Sequence, residues 1–396
     1  MKRRDFLKNS ALASSVFFVP SFVKAMEGDL LASTGYRRLV IIQLTGGNDG
    51  LNTIIPYRND IYYKSRPVLG IKRNEALRLT DDLGFNKNLK ELKELYDAGD
   101  LCIINNVGYP NPDRSHFRST DIWHTASGSD QVLNTGWIGR YLDAHASTPH
   151  EAIEIGQSLS LMMKGKELAG TATMNPRLLY RIASDPYFDQ VLAHQKDAHL
   201  SEHNMGYLYR TMIDAKQSAS YIFDKVKVYR PTMKYGARAF GRQLSTIAQF
   251  INSGLSTRVY YASFSGFDTH AGQARRQDRL LKEYSSEVST LVKDLKKNGT
   301  FKDTLILTFS EFGRRVEQNA ANGTDHGAAN NVFVIGDKLR KPGLFNAAPD
   351  LANLDDNGDI TYEIDFRSIY ANILENWLDA GQEDILTRAV TPVSIV

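Results

Sequence analysis

The sequence predicts an α/β fold: a doubly wound, mostly parallel sheet with helices on both faces and a helical insertion. Three observations predict it. Short, near-continuous apolar runs recur along the chain, and runs without polar alternation suit strands covered on both faces. Each run ends in a polar, glycine-containing turn. Stretches of helical amphipathicity lie between the runs, and strand–helix alternation marks a parallel sheet.

Taken in order, residues 39–44 form the first predicted strand and run into Thr45-Gly46-Gly47-Asn48-Asp49-Gly50. Residues 101–107 run into Gly108-Tyr109-Pro110, and residues 258–264 into Ser265-Gly266-Phe267-Asp268-Thr269-His270. Residues 304–309 run into Ser310-Glu311-Phe312-Gly313, and residues 331–335 into Gly336. Between them, residues 278–297 place Leu280, Leu281, Tyr284, Val288, Leu291, Val292 and Leu295 on one helical stripe with charges opposite. Phe240, Leu244, Ile247 and Ile251 repeat the pattern, as do Phe366, Ile369, Tyr370, Ile373, Leu374 and Trp377 within residues 365–380. Residues 185–235 are polar, helix-prone and rich in Tyr, His and Lys, and read as an insertion or cap on the sheet. Residues 26–396 are expected to form a single domain, long enough at 42% hydrophobic content to bury a large core.

The first 25 residues read as an export leader. Arg3-Arg4-Asp5-Phe6-Leu7-Lys8 has the twin-arginine pattern, an apolar stretch broken by Pro20 follows, and Val23-Lys24-Ala25 closes it as a small-residue cleavage site. The stretch falls short of the ~20 apolar residues a spanning helix needs. The expected partner is the twin-arginine translocase, which carries folded cargo, and the expected destination is periplasmic or extracellular. No transmembrane anchor is expected in the mature chain. The full chain has 48 basic and 45 acidic side chains. Lys2, Arg3, Arg4, Lys8 and Lys24 belong to the leader, so the remainder is close to neutral. No general field for nucleic acid or membrane remains. Cys102 stands alone in an apolar run, which excludes an intrachain disulfide and reads as a buried strand residue.

Ligands of open α/β sheets bind at the carboxyl ends of the strands. Those ends carry Asp49, Asp268, His270 and Glu311, and Asp325-His326-Gly327 precedes the last strand. Carboxylates and imidazoles gathered on one edge suit a divalent metal, whether zinc, manganese, calcium or magnesium, with histidine favouring the transition metals. Each member also has a plainer role: Asp49 as a turn residue, Asp268 as a helix cap, Glu311 as the partner of Arg314 or Arg315. Ser115 and His116 begin a predicted helix after the second strand. Ser115 is a candidate nucleophile or an N-cap, and His116 and Arg314 are candidates to steady an anion. A serine-hydrolase elbow, Gly-x-Ser-x-Gly, is absent from the sequence. His145, His150, His194, His199 and His203 fall in polar stretches and read as solvated. Asp355-Asp356-Asn357-Gly358-Asp359 reads as a turn, since its spacing does not follow a calcium loop.

Together these strings resemble the exported bacterial family of domain-of-unknown-function 1501. The resemblance rests on residues 44–52, Arg114-Ser115-His116-Phe117, Gly136-Trp137, Phe267-Asp268-Thr269-His270, Ser310-Glu311-Phe312-Gly313-Arg314, Asp325-His326-Gly327 and Asp365-Phe366-Arg367. That family is similar to the alkaline phosphatase-like superfamily of sulfatases, phosphodiesterases and phosphoglycerate mutases. The resemblance implies an alkaline phosphatase-like sheet with a metal centre at its carboxyl edge. It implies metal roles for Asp49, Asp268, His270, Glu311 and His326, with Asp325 as ligand or support. The chain departs from the superfamily in two places. Glu311-Phe312 stands where an Asp-His pair is expected, and the position of the covalent nucleophile falls on Pro112. The expectation is an exported metal-dependent hydrolase of anionic sulfate or phosphate esters. The alternatives are a non-catalytic binding or scaffold protein on the same fold, and a serine esterase built on Ser115.

Overall fold

The computed structural model describes residues 36–186, 190 and 204–396. The predicted leader and residues 191–203 of the predicted insertion, including His194, His199 and His203, lie outside them.

Fourteen strands are found among the described residues. In chain order they are β1 (Arg38–Thr45), β2 (Ile54–Ile55), β3 (Leu77–Arg78), β4 (Gly84–Phe85), β5 (Leu101–Gly108), β6 (Ala152–Glu154), β7 (Thr171–Ala172) and β8 (Val259–Ser265). Then come β9 (Thr304–Phe309), β10 (Arg314–Gln318), β11 (Thr324–His326), β12 (Asn330–Ile335), β13 (Gly343–Leu344) and β14 (Ile364–Asp365). The main sheet runs β13-β5-β12-β9-β1-β8-β6-β7, with β14 also paired to β5. A small sheet of β2, β4 and β3 and the hairpin β10–β11 stand beside it.

Alternate residues of the central strands feed two separate cores, which is why their sequences are apolar throughout. Val40, Ile42, Tyr260, Ala262 and Ile306 pack with helices Ala239–Asn252 and Gln273–Lys297. Leu39, Ile41, Val259, Tyr261, Leu305 and Leu307 pack with helices His116–Thr125, Trp137–His145 and Phe366–Asn376 on the other face. Cys102 is buried in β5, and burial pushes its thiol up to about 12. Helix Asn204–Val226 occupies the predicted insertion, and its Ala219, Ile222 and Val226 are buried.

One strand of this mostly parallel sheet runs against the others. β1, β8, β9 and β6 are mutually parallel along the sheet, but β12 is antiparallel to both β9 and β5. The reason lies in the connection. The hairpin β10–β11 keeps the chain at the carboxyl edge after β9, so β12 must start from that edge. Asp325 and His326, which precede β12, therefore share an edge with the residues that follow β1, β8 and β9. A parallel β12 would have put them at the opposite end.

No helix among the described residues is long and apolar enough to cross a membrane. His150 differs from its expected solvated state: it is half-buried, with its ring 4.3 Å from that of Tyr221. The Asp355–Gly358 segment is a turn, closed by the Gly358 N–H donating to the Asp355 carbonyl at 2.9 Å.

Candidate metal centre at the carboxyl edge

Parallel register sets the edge. Thr45 of β1 pairs with Ser265 of β8, and Gln43 with Phe309 of β9, so three turns leave the sheet at one level. They pack closely. Gly46 has φ +117°, and a Cβ there would overlap the backbone nitrogen of Asp268. A Cβ at Gly47 would overlap the Phe312 ring. Glycine is what lets the β1 turn sit against its neighbours.

Asp268 is the hub. Its Oδ1 lies 2.8 Å from Arg314 Nη2, 3.1 Å from His270 Nε2, 3.3 Å from His326 Nε2 and 3.6 Å from His116 Nε2. Burial works to raise its carboxyl, but the hydrogen bonds from Arg314 and His326 outweigh it and hold the group at about 2. His116, Asp268 and His326 each offer a ligand atom within 4.8 Å of the others.

The three histidines are oriented alike. His116 Nδ1 lies 2.9 Å from Glu311 Oε1, His270 Nδ1 lies 3.0 Å from Asp325 Oδ1, and His326 Nδ1 lies 2.8 Å from the Arg114 carbonyl. Each partner is an acceptor, so each ring donates from Nδ1; His326 Nε2 also lies 2.9 Å from His270 Nε2 and 3.3 Å from Asp268 Oδ1, contacts that need a proton on one of the two nitrogens. All three Nε2 atoms then face Asp268. His116 Nε2 is buried and has no hydrogen-bond partner. The hydrogen bond to Glu311 raises the pKa of His116, whereas burial lowers that of His326. Imidazoles held at Nδ1 by oxygen acceptors, with Nε2 atoms converging on a carboxylate, fit a transition-metal ion. The nitrogen-rich set fits calcium and magnesium less well, since these take oxygen ligands.

The other predicted residues are placed as follows. Glu311 is fully buried, and its Oε1 also accepts from the Gly46 N–H at 2.7 Å, so it supports His116 from behind. Asp325 is exposed and supports His270 together with Asn319, whose Nδ2 donates to it at 3.1 Å. Arg314 is buried, and its guanidinium donates to the carbonyls of Gly46, Gly47, Thr324 and Phe267 besides Asp268. It clamps the turns together, and those bonds occupy the donors an anion would need. Asp49 stands apart from the three-residue cluster. Its Oδ2 accepts from Arg66 at 2.6 Å and from Gln273, and its Oδ1 from the Asn52 N–H at 3.4 Å. Both partners of that ion pair are buried, and it ties the β1 turn to residue 66.

Ser115 is exposed at the N-terminus of helix His116–Thr125, and its hydroxyl makes no capping bond. It neighbours His116 along the chain with an uncommitted side chain. Phe312 packs against both His116 and His326, with ring centroids 4.9 and 4.6 Å away. Sequence reasoning placed Glu311 among the ligands and His116 among the anion-binding groups; in the structure Glu311 accepts from His116 Nδ1, and His116 lies with Asp268 and His326. The Arg114 carbonyl was missed altogether, because a backbone acceptor leaves no mark in a sequence. His124 was also missed. It lies buried with Nε2 2.9 Å from Gln43 Oε1, and burial lowers its pKa to about 3.

Several solved structures are similar to this chain at low identity. The crystal structure of Ps i-CgsB in complex with k-i-k-neocarrahexaose matches at 10% identity and TM-score 0.42, over 91% of this chain and 75% of that one. The PsFucS1 sulfatase from Pseudoalteromonas sp. matches at 12% identity and TM-score 0.37, over 83% and 68%. The C-terminal periplasmic domain of EcEptC from Escherichia coli, in complex with Zn, matches at 12% identity and TM-score 0.37, over 76% and 72%. Among curated protein sequences none matches the chain. The family described as "Protein of unknown function (DUF1501)" matches residues 102–376, from β5 through helix Phe366–Asn376, and the chain belongs to that family.

Proposed function

We propose that this protein is a metal-dependent hydrolase of sulfate or phosphate esters, exported by the twin-arginine route. The observation that carries the reading is the common orientation of His116, His270 and His326, with Nδ1 held by an acceptor and Nε2 facing Asp268. His116, Asp268 and His326 would hold the metal, with His270 beside them. A divalent ion there supplies Lewis acidity, polarising an anionic ester oxygen and acidifying water.

The protein's own groups do the rest. Glu311 and the Arg114 carbonyl fix the rings of His116 and His326. Arg314 keeps the Asp268 carboxylate ionised and aimed at the cluster. His270, exposed and bonded to Asp325, is placed to take or give a proton at Nε2. Ser115 carries the exposed hydroxyl nearest to His116 in the chain and is the candidate attacking group. The Arg3-Arg4 leader supports export of a folded, metal-loaded protein.

Metal analysis of the protein purified from its own host tests the reading, alongside assays on aryl sulfates, phosphomonoesters and phosphodiesters. About one transition-metal ion per chain and hydrolysis of at least one ester class are expected, and His326→Ala should lose both. A folded protein without metal and without turnover would sink the proposal. A second reading, a non-catalytic anion-binding protein, is favoured by Phe312, whose ring packs on two of the three histidines. Calorimetric binding of sulfate or phosphate by metal-loaded protein, with no ester hydrolysed, would select it.

A further inference from the structure

A cavity of about 140 Å³ lies against the turn that holds His116. Glu311 and Phe312 form part of its wall, and the same two residues contact the His116 ring. The rest of the lining is mainly apolar: Tyr109, Trp123, Ala328, Ile360 and Tyr362 contribute to it. The acidic side chains on the wall have partners inside the protein. Glu311 accepts from Gly46 and His116, and Asp355 accepts from the backbone N–H groups of Asn357 and Asp359. Trp123 is held by stacking on Phe309 and Phe366, and its indole N–H is buried without a hydrogen-bond partner.

Size and chemistry together select the occupant. An apolar cavity of about 150 Å³ stays dry and accepts one benzene ring. A sugar ring is of similar girth, but each hydroxyl buried here without a partner costs about 1–3 kcal/mol. An aromatic ring brings no such groups.

We propose that this cavity is a binding site for a single aryl ring, and that on the hydrolase reading above it receives the organic group of the ester. The substrate class is then aryl sulfates or aryl phosphates rather than esters of sugars. Two variants test the cavity. Ala328→Leu fills it from a half-buried position, and Tyr362→Ala widens it.

Metal-loaded wild type and variants are titrated with phenol by calorimetry, then assayed on phenyl, naphthyl, methyl and glucose esters of sulfate and of phosphate. Phenol should bind wild type and not Ala328→Leu. The preference for phenyl over methyl esters should fall at least about tenfold in Ala328→Leu. Tyr362→Ala should move the preference from phenyl toward naphthyl. Comparing the two ester series separates sulfate from phosphate. Wild-type protein that does not bind phenol, or binding equal in all three proteins, would overturn the assignment. Phenol binding lost in Ala328→Leu, with no ester hydrolysed by wild type, would support the aryl site and overturn the hydrolase reading.

Discussion

His116 and Glu311, 195 positions apart in the chain, are joined by a 2.9 Å hydrogen bond from Nδ1 to a fully buried carboxylate oxygen. The same oxygen accepts from the Gly46 N–H. One carboxylate thus holds a histidine from the helix after β5 and the turn after β1 in a fixed relation, from its own place after β9.

On the proposed reading, that relation makes Glu311 a positioning group for the metal. Glu311→Gln keeps the shape of the side chain and removes its charge. The His116 ring loses its strongest orienting partner while the backbone contact can persist. Metal affinity should fall by about 10- to 100-fold, the usual effect of removing such a support. Competition with a chelator of known affinity measures it, with melting temperature recorded in parallel. A Gln variant that binds metal like wild type would rule out this role.

Asp49 leads to the opposite expectation. Its Oδ2 is 2.6 Å from Arg66, both side chains are buried, and Gln273 donates to the same oxygen. Removing the carboxylate leaves the Arg66 guanidinium buried with its charge unmatched. Asp49→Ala should therefore cost about 3–5 kcal/mol of stability, read from denaturant unfolding of the metal-free protein. Asp49→Asn should be destabilised as well and yet hold metal in the same ratio as wild type. Loss of metal with unchanged stability would return Asp49 to the ligands.

These two residues also mark how far the sequence could be read. The central strands and the helices between them were legible, because an apolar run covered on both faces and a 3.6-residue stripe are periodic signals. The direction of β12 was not, since an apolar run carries no polarity. The hairpin of Arg314–Gln318 and Thr324–His326 was not either, because its residues are charged and its pairing depends on the turns it touches. Within the site, Asp268, His270, Asp325 and His326 were legible as a group at strand ends. The division between residues that face Asp268 and residues that support them was not. Asp49 and Asp268 follow their strands in similar glycine-containing turns. What separates them is that Arg66 and Gln273 reach one, while His116, His270 and His326 reach the other.

His124 supplies a test that does not involve the metal. It is buried on helix His116–Thr125, its Nε2 lies 2.9 Å from Gln43 Oε1, and that oxygen also accepts from the Tyr261 hydroxyl at 2.6 Å. Burial lowers its pKa from 6.5 to about 3. The native state therefore keeps the ring neutral through a range in which the unfolded chain takes up a proton. Stability from this group is fully present above 6.5 and is lost as pH falls from there toward 3. Between pH 7 and pH 5 the wild type should lose about 2 kcal/mol more than His124→Gln, which has no proton to gain. Groups that titrate in both proteins cancel in that difference. Urea unfolding of metal-free wild type and His124→Gln at half-unit pH steps measures it. Two curves that stay parallel from pH 7 to pH 5 would mean that His124 is protonated as readily in the fold as outside it, and the buried neutral imidazole would have to be abandoned.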